Sequence, residues 1–179
     1  MIFNRTLERK LEAWRGNPNR KPLIIRGARQ VGKTTLIQEF AKSYSHQIVL
    51  NLEKSQDARV FNDYMDVKSI VESLFLSANI SISAIGETLL FIDEIQESPA
   101  AIQMLRYFYE EYPRLNVIAA GSLLEFAMKR VRSFPVGRVE FLYMHPMNFI
   151  EYLEAIDHLP ALEQINKVPV EPYAHSVLL

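Results

Sequence analysis

The chain has 179 residues, a formal net charge of −1 and a hydrophobic content of 49%. This length and apolar content allow one domain with a buried core, and the small net charge excludes a chain-wide electrostatic footprint for nucleic acid. The absence of cysteine excludes disulfides and thiolate metal sites.

The termini and the apolar runs favour a cytoplasmic protein with no membrane partner. The basic N-terminus lacks the apolar segment of a secretory signal. The longest apolar run, residues 117–128, is interrupted by Ser122 and Glu125 and is too short to cross a bilayer. The four histidines have no metal-ligand spacing, so they do not predict a metal centre.

Positive charge is concentrated in two segments. Residues 1–33 contain nine lysines and arginines against two glutamates, which leaves a local charge of +7. Residues 126–139 contain four basic residues and no acid. Each segment is typical of a solvated face or of contact with nucleic acid, and both interpretations remain open.

Apolar patterns predict strands and helices that alternate along the chain. Continuous apolar runs predict five strands: residues 22–26, 48–52, 88–92, 116–120 and 139–143. Apolar residues at helical spacing predict helices: residues 3–15, 35–43, 57–77, 99–112 and 146–155. Residues 80–85 fit a helix and a strand equally well. This alternation predicts an α/β fold, a five-stranded mostly parallel sheet with helices on both faces.

The same patterns divide the chain into three parts. Residues 1–20 are expected to form an amphipathic helix and a linker, and residues 21–156 the core. Residues 157–179 are a tail in which prolines interrupt the pattern, and its apolar ending is typical of the start of a further domain or of an end that docks on another surface.

The most specific motif is a glycine loop between the first strand and the helix after it. The loop matches G-x-x-x-x-G-K-[ST], a pattern in which backbone N–H groups and a helix N-terminus point at one phosphate. Lys33 is expected to reach the β- and γ-phosphates, and the Thr34 hydroxyl to ligate Mg²⁺. The flanking strand and helix disfavour a plain glycine-rich turn. The predicted nucleotide-binding residues are Gly27, Ala28, Arg29, Gln30, Val31, Gly32, Lys33, Thr34 and Thr35.

Two acids, Asp93 and Glu94, directly follow the third predicted strand. Asp93 is expected at the carboxyl end of that strand, where open α/β sheets bind ligands and where it can hold Mg²⁺ through water opposite Thr34. Glu94 is placed to polarise a water that attacks the γ-phosphate. The alternative, that both acids only cap a helix, is disfavoured by the glycine loop about 60 residues upstream.

Two further residues are weaker candidates for the same chemistry. Ser122 follows the fourth strand and is a candidate sensor of the γ-phosphate or the water, or the N-cap of a helix over residues 123–128. Arg138 precedes the fifth strand and is a candidate to stabilise transition-state charge in its own subunit or in a neighbour's. A solvated or ion-paired arginine is the alternative for Arg138, and Arg130 and Arg132 are weaker rivals.

Together these motifs resemble the AAA-type P-loop ATPases of bacteria and archaea whose core is usually followed by a domain of unknown function (the AAA_14/DUF4143 group). The resemblance covers roughly residues 5–155. The matching segments are RGARQVGKTT at 26–35, LFIDEIQ at 90–96, AGSLLEF at 120–126, and Gly137-Arg138 followed by HPMNFIEYL at 145–153. Met147-Asn148 replaces the usual Leu-Ser of the last segment.

The resemblance implies an ATP- and Mg²⁺-binding core in which an additional strand separates the loop strand from the Asp-Glu strand. It implies phosphate and metal roles for Lys33 and Thr34, a metal-side role for Asp93 and a hydrolytic base in Glu94. Nothing resembles the family's C-terminal domain, and no arginine follows Arg138. A helical lid with its own arginine sensor is therefore expected to be absent.

The predicted function is an Mg²⁺-dependent ATPase domain that couples ATP to rearrangement of a larger protein. The alternative is a nucleotide-gated switch with little hydrolysis that controls a C-terminal domain or nucleic acid. A small-molecule kinase is a third hypothesis, which the tandem Asp93-Glu94 disfavours because it favours water as the acceptor. ATP, ADP and Mg²⁺ are the expected ligands, and self-association remains open.

Overall fold

The computed structural model describes residues 6–63, 66–122, 134–165 and 167, and its centre is a five-stranded sheet. Every pair of neighbouring strands is parallel, in the order β2-β3-β4-β1-β5. The strands are β1 (Leu23–Arg26), β2 (His46–Asn51), β3 (Thr88–Asp93), β4 (Asn116–Gly121) and β5 (Glu140–Tyr143). The α/β prediction and all five predicted strands are confirmed.

The additional strand implied by the resemblance is β4, which lies between β1 and β3. Ala119 of β4 is paired with Ile24 on one side and with Ile92 on the other. Because the three strands are parallel, their carboxyl ends meet at one edge of the sheet. Whatever follows Arg26, Ile92 and Gly121 is therefore brought to the same place.

Side chains of the strands alternate between two buried faces, as the two-residue period of a strand requires. Leu23, Ile25 and Phe91 belong to one apolar cluster, and Ile24 and Ile92 to the other. Helices cover both clusters, which is why β3 and β4 are buried along their whole length.

The helices alternate with the strands. The first cluster includes side chains of α1 (Thr6–Gly16) and α2 (Lys33–Ala41). The second includes side chains of α3 (Ser55–Asp63), α4 (Val67–Ser77) and α5 (Pro99–Glu111). Two short helices, α6 (Phe149–Ala155) and α7 (Leu159–Ile165), follow β5 and pack on each other. The 3₁₀ helices are Ile82–Glu87 and Ile95–Glu97.

Two predictions need correction, and one helix was not predicted. The helix expected over residues 57–77 is two helices, because the Asp66 side chain accepts a hydrogen bond from the Ser69 N–H and so caps a new helix. Residues 80–85 are neither an α-helix nor a strand, since Ile82–Glu87 is a 3₁₀ helix. The tail contains the helix α7, whose Ala161 N–H donates to His158 Nδ1. The helix expected over residues 123–128 lies outside the described residues.

Within the described ranges, no helix is both long enough and apolar enough to cross a membrane.

We expect the substitution Phe91→Ala to destabilise the fold by about 3–5 kcal/mol, the usual range for an aromatic side chain removed from a core. Phe91 is 1% exposed on the central strand β3. The measurement is urea unfolding followed by circular dichroism. Tyr107→Ala is the matched control, since Tyr107 is 42% exposed on α5 and its loss should cost within about 0.5 kcal/mol. Equal losses in the two variants would contradict the assigned core.

Candidate functional site

The glycine loop joins the end of β1 to the start of α2. Gly32 precedes α2 with φ 92°, and Gln30 within the loop has φ 63°, so the loop turns through two left-handed residues. A Cβ placed on Gly27 would lie 2.2 Å from the backbone oxygen of Met144. Glycine is required at that position because the segment after β5 passes directly against the loop.

Lys33 is folded back onto the loop that precedes it. Its Nζ donates to the backbone oxygens of Gly27 at 2.9 Å and Ala28 at 2.7 Å. The side chain is buried, and burial lowers its pKa, while attraction to Glu94 and Asp93 acts in the opposite direction. The ammonium group thus lies at the loop, satisfied by neutral carbonyls that a phosphate oxygen can replace.

Thr34 and Asp93 meet across the carboxyl edge of the sheet. Thr34 Oγ1 donates a hydrogen bond of 2.9 Å to Asp93 Oδ2, and the Glu94 N–H donates to Asp93 Oδ1 at 3.0 Å. Burial raises the pKa of Asp93, and the hydrogen bond from Thr34 opposes that rise. A hydroxyl and a carboxylate, both hard oxygen donors, therefore lie side by side at the start of α2.

Glu94 occupies an unusual backbone conformation next to this pair. Its φ of 52° and ψ of 46° are left-handed, a region that residues other than glycine rarely adopt. Its Oε2 accepts a hydrogen bond of 2.5 Å from Gln96 Nε2. Gln96 Oε1 is buried and has no hydrogen-bond partner among the described residues. The turn and the amide together fix where the Glu94 carboxylate lies.

The loop and the Asp-Glu turn enclose a cleft of about 460 Å³. This volume lies within the range of roughly 300–1,000 Å³ that is usual for small-molecule sites. Two cations and two carboxylates line the cleft, so its charge is mixed. The lining residues are Arg29, Gln30, Gly32, Lys33, Thr34, Thr35, Glu53 and Glu94.

Ser122 lies at the same edge of the sheet. It follows Gly121, which is paired with Arg26, the residue before the loop. Its Oγ is buried and has no hydrogen-bond partner within the described part of the chain. This hydroxyl therefore has an unused donor and acceptor at the edge where the loop begins.

Arg138 lies at the opposite edge. It precedes β5, whose first residue, Glu140, is paired with Leu23 at the start of β1, so about 10 Å of strand separates it from the loop. Its Nε donates to Glu110 Oε1 at 3.2 Å, which matches the ion-paired alternative. The structure does not bring Arg138 to the phosphate loop of its own chain, because parallel strands carry the two segments to opposite ends. Arg130 and Arg132 lie outside the described residues.

A family comparison agrees with this geometry. Residues 19–153 match the family model described as an AAA domain (AAA_14), which is well over half of the chain. The chain belongs to this AAA domain family. It is therefore an AAA-family ATPase domain with a P-loop nucleotide-binding fold. A search of curated proteins gives no significant match.

Two solved structures share the fold of this AAA domain. The Walker-type ATPase PABY2304 of Pyrococcus abyssi aligns with a TM-score of 0.58 and 20% identity over 99% of this chain and 63% of that one. The Drosophila ORC bound to DNA aligns with a TM-score of 0.55 and 15% identity over 95% of this chain and 53% of that one. The AAA domain thus spans less than two thirds of either relative.

The motifs indicated no role for one residue of the cleft, Glu53, and for one residue beside it, Gln96. Glu53 lines the cleft from the loop after β2, and Gln96 contacts Glu94. The position of Glu53 just beyond a predicted parallel strand was a usable signal, because carboxyl ends of parallel strands share one edge. Gln96 had no such signal, since its contact depends on the left-handed turn at Glu94.

We expect Gly27→Ala to cost about 1–3 kcal/mol of unfolding free energy, because the added methyl group would overlap the Met144 carbonyl. Gly16→Ala is the matched control, since a Cβ at Gly16 meets nothing within 4 Å. Urea unfolding of both variants gives the comparison. Equal stability of the two variants would show that the segment after β5 does not approach the loop.

Proposed function

We propose that this AAA domain binds Mg²⁺-ATP in the cleft and hydrolyses it to ADP and phosphate. The observation that carries the proposal is the 2.9 Å hydrogen bond between Thr34 and Asp93, with Glu94 directly after it. Thr34 and Glu94 line the cleft, and Asp93 is bonded to that Thr34 hydroxyl. This is the set of groups that phosphoryl transfer to water uses.

The loop supplies the phosphate-binding groups. Backbone N–H groups at the start of α2 and the Lys33 ammonium favour a polyanion. Lys33 would exchange its hydrogen bonds to the Gly27 and Ala28 carbonyls for hydrogen bonds to phosphate oxygens. The new bonds are stronger because both partners are charged.

The oxygen donors at Thr34 and Asp93 fit Mg²⁺. Among the described residues no group of three or more histidines, cysteines or acids could hold a metal by itself. A magnesium ion that takes most of its ligands from water and phosphate needs only one or two protein donors. An Mg²⁺ ion held by Thr34 and, through water, by Asp93 would neutralise charge that develops on the phosphates.

Glu94 is the proposed general base. Its carboxylate lines the cleft next to the loop, where it can accept a proton from an attacking water. Gln96 is a positioning residue, since its amide donates to the carboxylate and limits its orientation. Ser122, with an unused hydroxyl at the same edge, is the proposed partner of the water or the γ-phosphate.

One observation favours the alternative of a nucleotide-gated switch with little hydrolysis. In the described part of the chain, Arg29 and Lys33 are the only cations that line the cleft, and Arg138 lies at the other edge. Arginine from a neighbouring subunit or a further domain would then complete the site.

The relatives of known structure are longer than this chain, and one of them is bound to DNA. Both facts support a role in rearranging a larger protein or a nucleic acid.

We expect Glu94→Gln to bind Mg²⁺-ATP as the wild type does and to release phosphate about 10²–10⁴-fold more slowly, since the variant lacks the base. Lys33→Ala should lose ATP binding, because it lacks the charge that faces the phosphates. The measurements are equilibrium ATP binding and single-turnover phosphate release.

Three other results would decide between the alternatives. Release by Glu94→Gln at the wild-type rate would exclude the assigned base. Tight ATP binding by wild type without phosphate release would favour the switch. Unchanged binding by Lys33→Ala would exclude the cleft as the ATP site.

We expect Gln96→Ala to lower the turnover number by up to about 100-fold with ATP affinity unchanged, because misplacement of a catalytic group acts on the chemical step. Gln47→Ala is the matched control, since Gln47 is exposed at the amino end of β2. A loss of affinity in place of turnover would assign Gln96 to ATP binding.

A further inference from the structure

A second cavity lies at the amino edge of the sheet, opposite the nucleotide cleft. It has a volume of about 260 Å³, and its residues precede or begin strands β1, β2, β3 and β4 or end helix α1. We call it the amino-edge pocket. Its lining residues are Arg15, Arg20, Ser43, Tyr44, Ser45, Gly86, Glu87 and Asn116.

Two buried donors in this pocket have no acceptor. The Tyr44 hydroxyl and the Arg20 Nε are both shielded from solvent, and neither has a hydrogen-bond partner among the described residues. A buried polar group without a partner is costly and is rare in folded proteins. A ligand atom that accepts hydrogen bonds would satisfy both donors.

Two arginines face the Tyr44 side chain. The Arg15 guanidinium lies 4.6 Å from the centre of the Tyr44 ring, and its Nη1 donates to Ser43 Oγ at 2.8 Å. Arg20 Nη2 donates to the backbone oxygen of Arg114 at 3.2 Å and Nη1 to that of Asn17 at 3.4 Å. These partners of Arg20 are neutral, so within the described residues no carboxylate balances its charge.

Tyr44 is held as a neutral donor. Burial raises its pKa to about 12, although Arg15 and Arg20 act to lower it. The phenol therefore keeps its proton at physiological pH and can donate it to an acceptor.

The acids near the pocket do not cancel this charge. Glu87 lines the pocket at its exposed rim, and Glu12 lies 3.9 Å from Arg15 with more than half of its side chain exposed. The Arg114 guanidinium adds a third cation beside the wall, since a Cβ on Gly86 would lie 3.1 Å from its Nη2. Exposed acids are screened by solvent more than the buried donors are.

We infer that the amino-edge pocket binds a phosphate group through Arg15, Arg20 and the Tyr44 hydroxyl. Arginine presents donors in a fork that matches oxyanions. The three donors come from separate segments and therefore approach the pocket from different directions. A tetrahedral phosphate offers acceptor oxygens in several directions and can meet all three. The volume is below that of pockets which enclose drug-sized ligands, so it suits one phosphate group. It also gives a role to Arg15 and Arg20, part of the basic N-terminal segment that the nucleotide cleft leaves unexplained.

Two sources can supply this group: free phosphate, or a phosphodiester of a nucleic acid backbone. The experiment uses the whole chain with Lys33→Ala, which removes the loop's own phosphate-binding charge. Equilibrium dialysis measures labelled inorganic phosphate, and a second arm measures binding of short single- and double-stranded oligonucleotides. Trp14, the only tryptophan, gives a local fluorescence signal because it precedes Arg15 and its indole donates to the Lys21 carbonyl.

We expect Lys33→Ala protein to bind one equivalent of phosphate with a change in Trp14 fluorescence. Adding Tyr44→Phe, which removes only the unpartnered hydroxyl, should weaken binding roughly 10–100-fold, the effect of one hydrogen bond to a charged group. Arg20→Gln should act in the same direction. The control Arg59→Gln removes an exposed arginine of α3 and should have no effect.

In the otherwise wild-type chain, Tyr44→Phe should weaken one class of phosphate site by roughly the same 10–100-fold, which keeps the test independent of the Lys33→Ala background. Parallel loss of oligonucleotide binding would assign the group to a nucleic acid backbone, and loss of inorganic phosphate alone to a small ligand. The inference would be overturned if Lys33→Ala protein bound no phosphate, or if its phosphate binding did not respond to Tyr44→Phe and Arg20→Gln. Water would then be the only occupant assigned to the pocket.

Discussion

The hydrogen bond from Thr34 to Asp93 joins two segments that are far apart in the sequence and is the contact on which the proposed nucleotide site depends. It forms because β4 alone separates β1 from β3 and because all three strands are parallel. The loop after β1 and the acids after β3 are then carried to one edge. The buried faces of the sheet fix this arrangement, since a slip of one residue would turn every apolar side chain of a strand toward the opposite face.

The parallel sheet also gives the domain two chemically different edges. The carboxyl edge holds the loop, Asp93, Glu94 and Ser122. The amino edge holds Arg138 with its partner Glu110, and the amino-edge pocket with Arg20 and Tyr44. The cations of the amino edge therefore lie away from the cleft at the carboxyl edge. Within one chain of this topology, Arg138 cannot reach the γ-phosphate of a nucleotide bound at the glycine loop unless the pairing of β5 with β1 is lost.

Much of the fold could be predicted from the sequence because each strand is a continuous apolar run and the glycine loop has fixed spacing. The placement of Asp93 beside Thr34 followed from the same reasoning, since the ends of parallel strands meet. Other features depend on tertiary contacts that carry no periodic signal. The break at Asp66 is one side-chain cap within an apolar helical pattern, and the contact of Gln96 with Glu94 depends on a left-handed turn. The edge that Arg138 occupies follows from the direction of β5, and the order of the motifs along the chain does not specify that edge.

The most direct test of the account is the effect of Mg²⁺ on ATP affinity in wild type and in Asp93→Asn. If Asp93 holds Mg²⁺ through water beside Thr34, Mg²⁺ should tighten ATP binding by the wild type. Asp93→Asn should lower the affinity for Mg²⁺ about 10–100-fold, the usual effect of substituting a residue that contacts a metal through one of its ligands. Affinity without Mg²⁺ should be equal in the two proteins. The same gain from Mg²⁺ in both would contradict the account, because the contact between Thr34 and Asp93 would then have no part in binding the nucleotide.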